Sequence, residues 1–341
     1  MARRDLVVVG ASAGGVEALQ TLLQGLPADL PAAVLVVLHM PSSARSALPE
    51  ILDRICRLPV QQAVDGSPLA PGTVTVAVPD RHLLVADGRV RLSRGPRENG
   101  HRPAVDVLFR SAAHAAGRRV VSVVLSGSLD DGTAGMIAVR SRGGLGVVQD
   151  PDDAMYPSMP RHALEIAGAD HVVPAEKMTT LLSELLAEEV DMVEQPEPSE
   201  LMDVETAMAH LDPRALNAED RPGTPSGFGC PSCHGALFSI TEGGMERFRC
   251  RVGHAWSPDA LDAEQAQALE GALWMAIRGL EERAALSLRM GRRAEVRGHQ
   301  ISAATFRDRH DEAQQAAMVL RQLLLRGELN GEAVSDEKRE A

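Results

Sequence analysis

Hydrophobic residues form short continuous runs in the first half of the chain, and helical stretches separate these runs. The runs do not alternate with polar residues, which is typical of strands buried on both faces of a sheet. They are Leu6–Val9, Ala33–Leu38, Val120–Leu125, Gly146–Gln149 and His171–Val173. The later helical stretches are Val105–Ala116, Asp131–Arg142, Pro160–Ala167 and Ala175–Glu188. Repeated βα units predict an α/β fold with a doubly wound, mostly parallel sheet.

Residues 72–95 interrupt this pattern, because hydrophobic and polar residues alternate there with a period of two. The pair Asp87-Gly88 lies within this stretch, and Asp-Gly is typical of a two-residue hairpin turn. The sequence therefore predicts a β-hairpin inserted into the α/β unit.

The composition changes after Glu188, where two segments are rich in Pro, Gly and acidic residues. This composition predicts a linker, with a short helix at Ser199–Leu211 between the two segments. Two long helical patterns occupy the last third of the chain, and Ser257-Pro258 begins the first with a typical N-cap and first-turn proline. We expect an α/β catalytic domain over residues 1–190, a linker over 191–228 and a zinc-ribbon-like segment over 229–256. A helical hairpin over 257–327 and a solvated tail over 328–341 follow.

Three cysteines and a histidine in this second half have the spacing of metal ligands. Cys230, Cys233, Cys250 and His254 form the pattern C-x2-C-x16-C-x3-H. Thiolates and an imidazole at this spacing favour a closed tetrahedral zinc site, with a hairpin turning at Gly243-Gly244 between its halves. Because the protein would fill all four positions, we expect this zinc to be structural and expect no cofactor for catalysis. His234 is an alternative to His254 as the fourth ligand, and the simpler alternative to a metal site is a set of reduced structural cysteines beside a surface histidine.

The stretch "LVVVGASAGGVEALQ" raises the question of whether its Gly-rich turn holds a phosphate or a nucleophile. A dinucleotide fingerprint requires G-x-G-x-x-G, but Ser12 replaces the second glycine, and a Walker loop requires a lysine that is missing here. A serine on a tight turn between a strand and a helix is instead typical of an exposed nucleophile. The alternative is that Ser12 is merely a helix N-cap.

A nucleophilic serine needs a base and a group that orients this base, and two other strand ends offer them. His39 follows the second strand, and Asp130 and Asp131 follow the strand that ends near Leu125. The carboxyl ends of parallel strands meet at one edge of a sheet, so these groups predict a Ser-His-Asp triad. Helix capping would also explain either aspartate, and the pattern alone does not choose between them.

Charge and composition narrow the classes of partner. The chain has 341 residues, of which 35 are Lys or Arg and 47 are Asp or Glu, for a net charge of −12. This charge argues against nucleic acid as a partner, and no apolar run reaches the length of a membrane span. The first apolar stretch is too short for a signal peptide, and the few cysteines suit a reducing compartment, so we expect a cytoplasmic protein.

The motifs "VGASAGG", "LHMP", "HRPAVDVLF", "LSGSLDDGTAGM" and "YPSMPRHAL" occur in an order similar to that of chemotaxis protein-glutamate methylesterases, the CheB family. The resemblance spans roughly residues 5–187. It implies that Ser12 is the nucleophile, His39 the base and Asp131, in preference to Asp130, the orienting carboxylate. It further implies hydrolysis of γ-glutamyl methyl esters in the cytoplasmic region of methylated chemoreceptors, with deamidation of receptor glutamines as a side activity.

Three features depart from the family pattern. Ala13 stands where the family usually has Thr, and the loop from Gly127 to Gly132 lacks the usual Met and second Gly. The first strand begins by Leu6, so we expect no receiver domain in front of it. These departures leave a rival hypothesis, a non-catalytic signalling module whose C-terminal half docks a partner. A homodimer through the C-terminal helices is a further expectation.

Overall fold

The structure, a computed structural model, describes residues 2–43, 46–192, 195–217 and 222–325. Its strands are β1 (Ala2–Arg3), β2 (Leu6–Ala11), β3 (Ala33–Leu38), β4 (Val60–Gln62), β5 (Thr73–Val76), β6 (His82–Ala86), β7 (Arg89–Ser93), β8 (Val120–Val124), β9 (Leu145–Gln149), β10 (His171–Val173), β11 (Glu189–Val190), β12 (Thr224–Gly229), β13 (Ala236–Glu242), β14 (Met245–Cys250) and β15 (Ala255–Trp256).

Its α-helices are α1 (Gly15–Gln24), α2 (Leu48–Asp53), α3 (Val105–Ala116), α4 (Thr133–Ser141), α5 (Ser158–His162), α6 (Ala175–Ala187), α7 (Glu200–Ala209), α8 (Pro213–Asn217), α9 (Pro258–Val296) and α10 (Gln300–Leu325). A 3-10 turn occupies Gly117–Arg119, and a π-helical turn at Ala163–Ala167 extends α5.

A parallel sheet with the strand order β10-β9-β8-β2-β3-β5-β4 forms the centre of the N-terminal half. All of its neighbouring pairs are parallel, and β2 pairs with β3 on one side and β8 on the other. Every residue of β2 and β3 is buried, as their unbroken apolar runs predict. The predicted doubly wound, mostly parallel sheet is thus confirmed.

Helices cover both faces of this sheet, and two hydrophobic clusters result. One face packs against α3 and α4, through side chains such as Leu108, Phe109 and Met136. The other face packs against α1, α2 and α6, with Leu19, Leu52 and Leu182 among its buried residues. In layered α/β folds of this kind ligands bind outside the carboxyl edge of the strands, which is where the polar turns of this chain lie.

The β-hairpin predicted over residues 72–95 occupies only part of that range, so the prediction needs correction. Strands β6 and β7 form the antiparallel hairpin, and Asp87-Gly88 makes its turn with φ of 51° and 68°. Strand β5 instead pairs with β3 and β4 in the parallel sheet. Val74, Thr75 and Val76 are buried together, so this strand behaves like the other central strands despite its alternating threonines.

A second, antiparallel sheet of order β12-β13-β14-β15 contains the cysteine-rich segment. Strands β13 and β14 form the hairpin predicted between Cys233 and Cys250, with Glu242 opposite Met245 across Gly243-Gly244. Strand β15, which begins directly after His254, pairs with β14 through Trp256 and Phe248.

The short helix predicted at Ser199–Leu211 is confirmed as α7, and Ser199 caps it by accepting a hydrogen bond from the Met202 N–H. Glu205 on this helix is fully buried, where it pairs with Arg247 and Arg249 of β14. Arg249 also pairs with Glu98, which lies in the loop before α3. Buried ion pairs therefore connect the stretch expected to be linker, the cysteine-rich sheet and the α/β unit.

The contacts divide the chain into two compact units, Met1–Ala260 and Leu261–Ala341. Ser257 caps α9 by accepting a hydrogen bond from the Ala260 N–H, as predicted. Within the second unit, α9 and α10 are joined by Arg321–Glu281 at 2.5 Å and Arg307–Glu295 at 3.5 Å. Among the described residues, no helix combines the length and apolarity needed to cross a membrane. The tail expected over 328–341 lies outside the described residues, and the expected domain boundaries stay a prediction.

Candidate active site

Ser12 lies on a tight turn between β2 and α1. The N–H of Gly15 donates to the carbonyl of Ser12 at 2.9 Å and closes this turn. Gly14 has φ of 66°, in the left-handed region that glycine adopts without a steric penalty. The N–H of Ser12 donates to the Ser126 carbonyl at 3.0 Å, which ties the turn to the end of the neighbouring strand β8. The serine is therefore held at the carboxyl edge of the sheet.

The three residues of the predicted triad come together at this edge. The Nδ1 atom of His39 lies 3.0 Å from Oγ of Ser12, and its Nε2 atom lies 2.7 Å from Oδ2 of Asp131. A carboxylate has no hydrogen to donate, so the proton between the two groups is on Nε2. Nδ1 is then the acceptor for the serine hydroxyl. This arrangement can deprotonate Ser12 and hold the imidazolium that results.

Asp131 is buried and accepts hydrogen bonds on both of its oxygens. The N–H groups of Val105 and Asp106, at the start of α3, donate to it at 2.7 and 3.1 Å, and Asn99 Nδ2 donates at 3.3 Å. Burial acts to raise the pKa of Asp131, but the hydrogen bond and charge of His39 outweigh it and hold the pKa well below its usual range. The orienting group is thus an anion at neutral pH.

The structure also separates the two neighbouring aspartates. Among the described contacts Asp130 has none with His39, and its Oδ1 accepts a hydrogen bond from the Ser257 hydroxyl at 2.7 Å. Burial raises the pKa of Asp130 to about 6, although the Ser257 hydroxyl opposes this rise. The geometry therefore agrees with the family pattern in pairing Asp131, not Asp130, with the histidine.

Sequence reasoning missed three residues around the triad. The ring of His101 stacks on that of His39 with centroids 3.6 Å apart and an interplanar angle of 13°. Burial, and then the charge of His39, lower the pKa of His101 to about 4, so this ring is neutral at pH 7. Asn99 donates to Asp131 and to Asp106, a buried aspartate whose pKa is raised by burial and by the charge of Asp131. The motif "HRPAVDVLF" contains two of these residues, but their roles depend on contacts that spacing does not reveal.

The loop that departs from the family pattern contains a residue in an unusual conformation. Leu129 has φ of 59°, in the left-handed region that is unfavourable for residues with a Cβ atom, and it stands where the family usually has its second glycine. Its carbonyl accepts hydrogen bonds from Ser158 Oγ at 3.2 Å and His162 Nδ1 at 3.0 Å. Neighbouring residues thus hold the loop in the shape that a glycine would adopt freely.

Backbone donors and an open cavity lie beside the reactive groups. Within the part of the chain that the structure describes, the N–H groups of Ala13 and Gly14 have no hydrogen-bond partner. A cavity of about 460 Å³ opens next to His39, and Arg97, His101 and Arg102 line it. Arg102 is paired with Asp80 at 2.5 Å, whereas Arg97 donates to the Gly100 carbonyl at 3.3 Å and has no ion pair among the described residues, so its charge is available to a ligand in this cavity.

The four predicted metal ligands also come together, at the end of β13 and β14 away from the hairpin turn. The ligand atoms of Cys230, Cys233, Cys250 and His254 all lie within 4.8 Å of one another. The distances are 3.6 Å between the Cys233 and Cys250 sulfurs, and 3.8 and 3.6 Å from His254 Nδ1 to the Cys230 and Cys250 sulfurs. Zinc–sulfur bonds of about 2.3 Å in a tetrahedron place the ligands roughly 3.5–3.8 Å apart, so this donor set fits zinc.

Comparisons with known proteins agree with this geometry. The chain is 41% identical over 186 residues to protein-glutamate methylesterase/protein-glutamine glutaminase 2 of Pseudomonas aeruginosa, covering 53% of each chain. It is 41% identical over 177 residues to protein-glutamate methylesterase/protein-glutamine glutaminase 1 of Geobacter metallireducens, covering 51% of this chain and 48% of that one. The chain therefore spans about half the length of the curated relatives it matches.

A solved structure extends the comparison to three dimensions. The crystal structure of the Thermotoga maritima CheB methylesterase catalytic domain aligns with a TM-score of 0.51 at 34% sequence identity, over 54% of this chain and 99% of that one. The family model for CheB methylesterase matches residues 7–182, which contain Ser12, His39 and Asp131. The chain belongs to the CheB methylesterase family.

Proposed function

We propose that this chain is a serine esterase that hydrolyses γ-glutamyl methyl esters in the cytoplasmic region of methylated chemoreceptors, releasing methanol. The observation that carries the proposal is the hydrogen-bonded series from Ser12 through His39 to Asp131 at 3.0 and 2.7 Å. An intact series favours an enzyme over the non-catalytic signalling module. Action in the cytoplasm is part of the same proposal.

The reaction follows from the positions of these groups. Ser12 Oγ attacks the ester carbonyl while Nδ1 of His39 accepts the hydroxyl proton. The N–H groups of Ala13 and Gly14, at the positive end of α1, donate to the oxyanion. The imidazolium then protonates the departing methoxide, which leaves as methanol, and Asp131 stabilises the imidazolium until this transfer.

A water molecule completes the cycle. Nδ1 of His39 removes a proton from this water as the water attacks the acyl-enzyme carbonyl, and the serine leaves with that proton. The product is a glutamic acid side chain, which releases its remaining proton to solvent and becomes the carboxylate, and the enzyme is restored. The cation of Arg97 beside the cavity favours an acidic peptide and the product carboxylate.

Deamidation is a second activity that the same site supports. The relatives bear the name protein-glutamine glutaminase as well as methylesterase. Attack of Ser12 on a glutamine carboxamide differs only in the leaving group, which departs as ammonia. We therefore propose it as a side activity of the same three residues.

We also propose that the Cys/His cluster holds one structural zinc ion, supported by the separations of its ligand atoms. This ion has no part in the esterase steps, since the protein fills its four positions. A homodimer through α9 and α10 is proposed because large apolar side chains stand exposed on these helices: Trp274, Met275, Leu286, Met318 and Val319.

The experiment that tests the esterase is methanol release from receptor membranes methylated with a labelled methyl group. The unmodified chain should release labelled methanol, and Ser12→Ala should reduce the rate on the order of 10³-fold or more. Ser183→Ala, an exposed serine on α6, is the matched control and should keep the rate. A fluorophosphonate should label the unmodified chain and the control but not Ser12→Ala. Equal methanol release by Ser12→Ala and the unmodified chain would refute the nucleophile.

A further inference from the structure

The strand that follows the Cys/His cluster runs directly beside the loop that leads to α3. The Asn99 N–H donates to the Ala255 carbonyl at 2.8 Å, and the Ala255 N–H donates to the Arg97 carbonyl at 3.2 Å. Both segments belong to the compact unit Met1–Ala260. Ala255 is also the residue after His254, so the pairing begins where the cluster ends. We call residues 255–257 the strap.

The strap also reaches the side chain of Asn99, which is 8% exposed. The Ser257 N–H donates to Asn99 Oδ1 at 2.9 Å. A backbone N–H can only donate, so the atom of the Asn99 side-chain amide that faces Ser257 must be the oxygen. The two hydrogens on Nδ2 then face two carboxylates, Asp131 at 3.3 Å and Asp106 at 3.1 Å.

Asn99 thereby joins the strap to the triad through one continuous series of hydrogen bonds. It holds Oδ1 of Asp131, while Oδ2 of the same carboxylate accepts from His39. The φ of Asn99 is 50°, a left-handed conformation that asparagine tolerates better than most residues. The strap has a second contact next to the triad, because the Ser257 hydroxyl donates to Asp130.

The position of the strap depends on the turn that contains two of the cluster ligands. Strand β14 ends at Cys250 and β15 begins at Ala255, so Cys250 and His254 bound the turn between them. Hydrogen bonds from the Cys250 N–H to the His254 carbonyl and from the Gly253 N–H to the Cys250 carbonyl close this turn. A metal ion bound by Cys250 and His254 would fix both of its ends and with them the start of the strap.

We propose that the strap is a positioning element of the active site: it holds Asn99, and through Asn99 the carboxylate of Asp131, so that metal bound at the Cys/His cluster maintains the triad. Asn99 and Ser257 touch no reacting atom, and in this role they act through Asp131. The kinetic part of this inference rests on the proposed esterase function, so its test also includes a measurement that needs no substrate.

That measurement is the far-downfield proton NMR resonance of the hydrogen bond between His39 Nε2 and Asp131. The unmodified chain should show this resonance, and Asp131→Asn should remove it, which assigns it. Asn99→Gly deletes the amide side chain and keeps the left-handed backbone. It should shift or broaden the resonance and lower kcat for a small methyl ester about 10- to 100-fold, with KM within about twofold. Asn217→Gly, at the end of the exposed helix α8, is the matched control and should change neither.

The second arm removes the metal. Cys233→Ser, or chelation of the unmodified chain, should produce the same change in the resonance and the same fall in kcat, while far-ultraviolet circular dichroism retains the α/β signal. Returning zinc to the chelated chain should restore both. Cys56→Ser, a cysteine outside the cluster, is the control. The chelation experiment needs no substitution and remains decisive if Asn99→Gly does not fold.

The outcomes separate the two proposals. An unchanged resonance and kcat in Asn99→Gly and in the metal-free chain would overturn the role of the strap, while the esterase would stand. If the unmodified chain releases no methanol but its resonance still responds to Asn99→Gly and to chelation, the esterase proposal fails and the positioning role stands.

Discussion

His39 meets Asp131 through Nε2, with 2.7 Å between the nitrogen and Oδ2 of the carboxylate, and this leaves Nδ1 for Ser12. In the serine-protease form of the triad the two ring nitrogens have the opposite partners. The chemistry requires only that one nitrogen be protonated toward the carboxylate while the other accepts from the serine. The hydrogen bonds to Asp131 from the start of α3 hold the carboxylate where Nε2 can reach it.

Exchanging the two neighbouring aspartates for asparagine should separate their roles. Asp131→Asn presents an amide to Nε2, which disturbs the tautomer of His39, so kcat should fall on the order of 10³- to 10⁴-fold. Asp130→Asn should change kcat by no more than a few-fold, because Asp130 contacts Ser257 and not His39. Methyl ester hydrolysis at pH 7.5 measures both. A larger loss from Asp130→Asn than from Asp131→Asn would show that the orienting carboxylate is misassigned.

Asp130→Asn should also change how stability depends on pH. The pKa of Asp130 is raised from its ordinary 3.8 to about 6, so between these values the folded state holds a proton that the unfolded state lacks. The free energy of unfolding contributed by this group therefore falls as pH rises through that window. The variant should match the unmodified chain near pH 4 and exceed it above pH 6 by up to about 3 kcal/mol. Urea unfolding at several pH values checks this, and a gain that is equal at all pH values would contradict it.

Purified protein should contain zinc without added metal. We expect about one zinc ion per chain by elemental analysis, because structural sites with this donor set bind tightly. Cys233→Ser should lose the ion and lower the midpoint of thermal unfolding. Cys56→Ser should retain the metal. A fully folded chain that lacks metal after purification under reducing conditions without chelator would contradict the site.

Neutralising Glu205 should destabilise the first unit. Its carboxylate is fully buried and lies 2.7–2.9 Å from the guanidinium groups of Arg247 and Arg249, with Arg110 at 3.4 Å. Glu205→Gln leaves these cations without their shared anion, which should lower the free energy of unfolding by about 3–5 kcal/mol. Asp203→Asn, whose partner His114 is at the surface, should cost less than about 1 kcal/mol. Equal effects of the two substitutions in urea unfolding would refute the importance of the buried ion pairs.

A dimer through the C-terminal helices should be sensitive to charge on their exposed apolar side chains. Sedimentation equilibrium should give twice the chain mass of 36.3 kDa for the unmodified protein. Met275→Glu, at a side chain that is 64% exposed, should shift the protein toward the monomer. Glu264→Gln, a polar position on the same helix, is the control. A monomer at every concentration tested would overturn the proposed dimer.

The sequence alone predicted the parallel sheet, the positions of Ser12, His39 and an aspartate pair at its carboxyl edge, and the four residues of the Cys/His cluster. Strands buried on both faces need unbroken apolar runs, so the sequence predicts β2, β3 and β8. Reactive residues that follow such parallel strands lie at one edge of the sheet. Candidate metal ligands that are close together along the chain can likewise be predicted from their spacing. For strand β5 the pattern instead predicts a place in the hairpin, because its alternating residues are typical of a half-buried strand, and the structure corrects this.

Only the tertiary structure decided what surrounds these sites. It brought Ser257 to Asn99 across 158 positions, stacked His101 on His39, and buried Glu205 among arginines from distant elements. It also separated Asp130 from Asp131, which the pattern of residues left equivalent. Such contacts join residues far apart in the chain, and their energies depend on burial and hydrogen-bond geometry. Periodicity and composition record neither quantity, so the connection from the Cys/His cluster to the triad exists only in the folded chain.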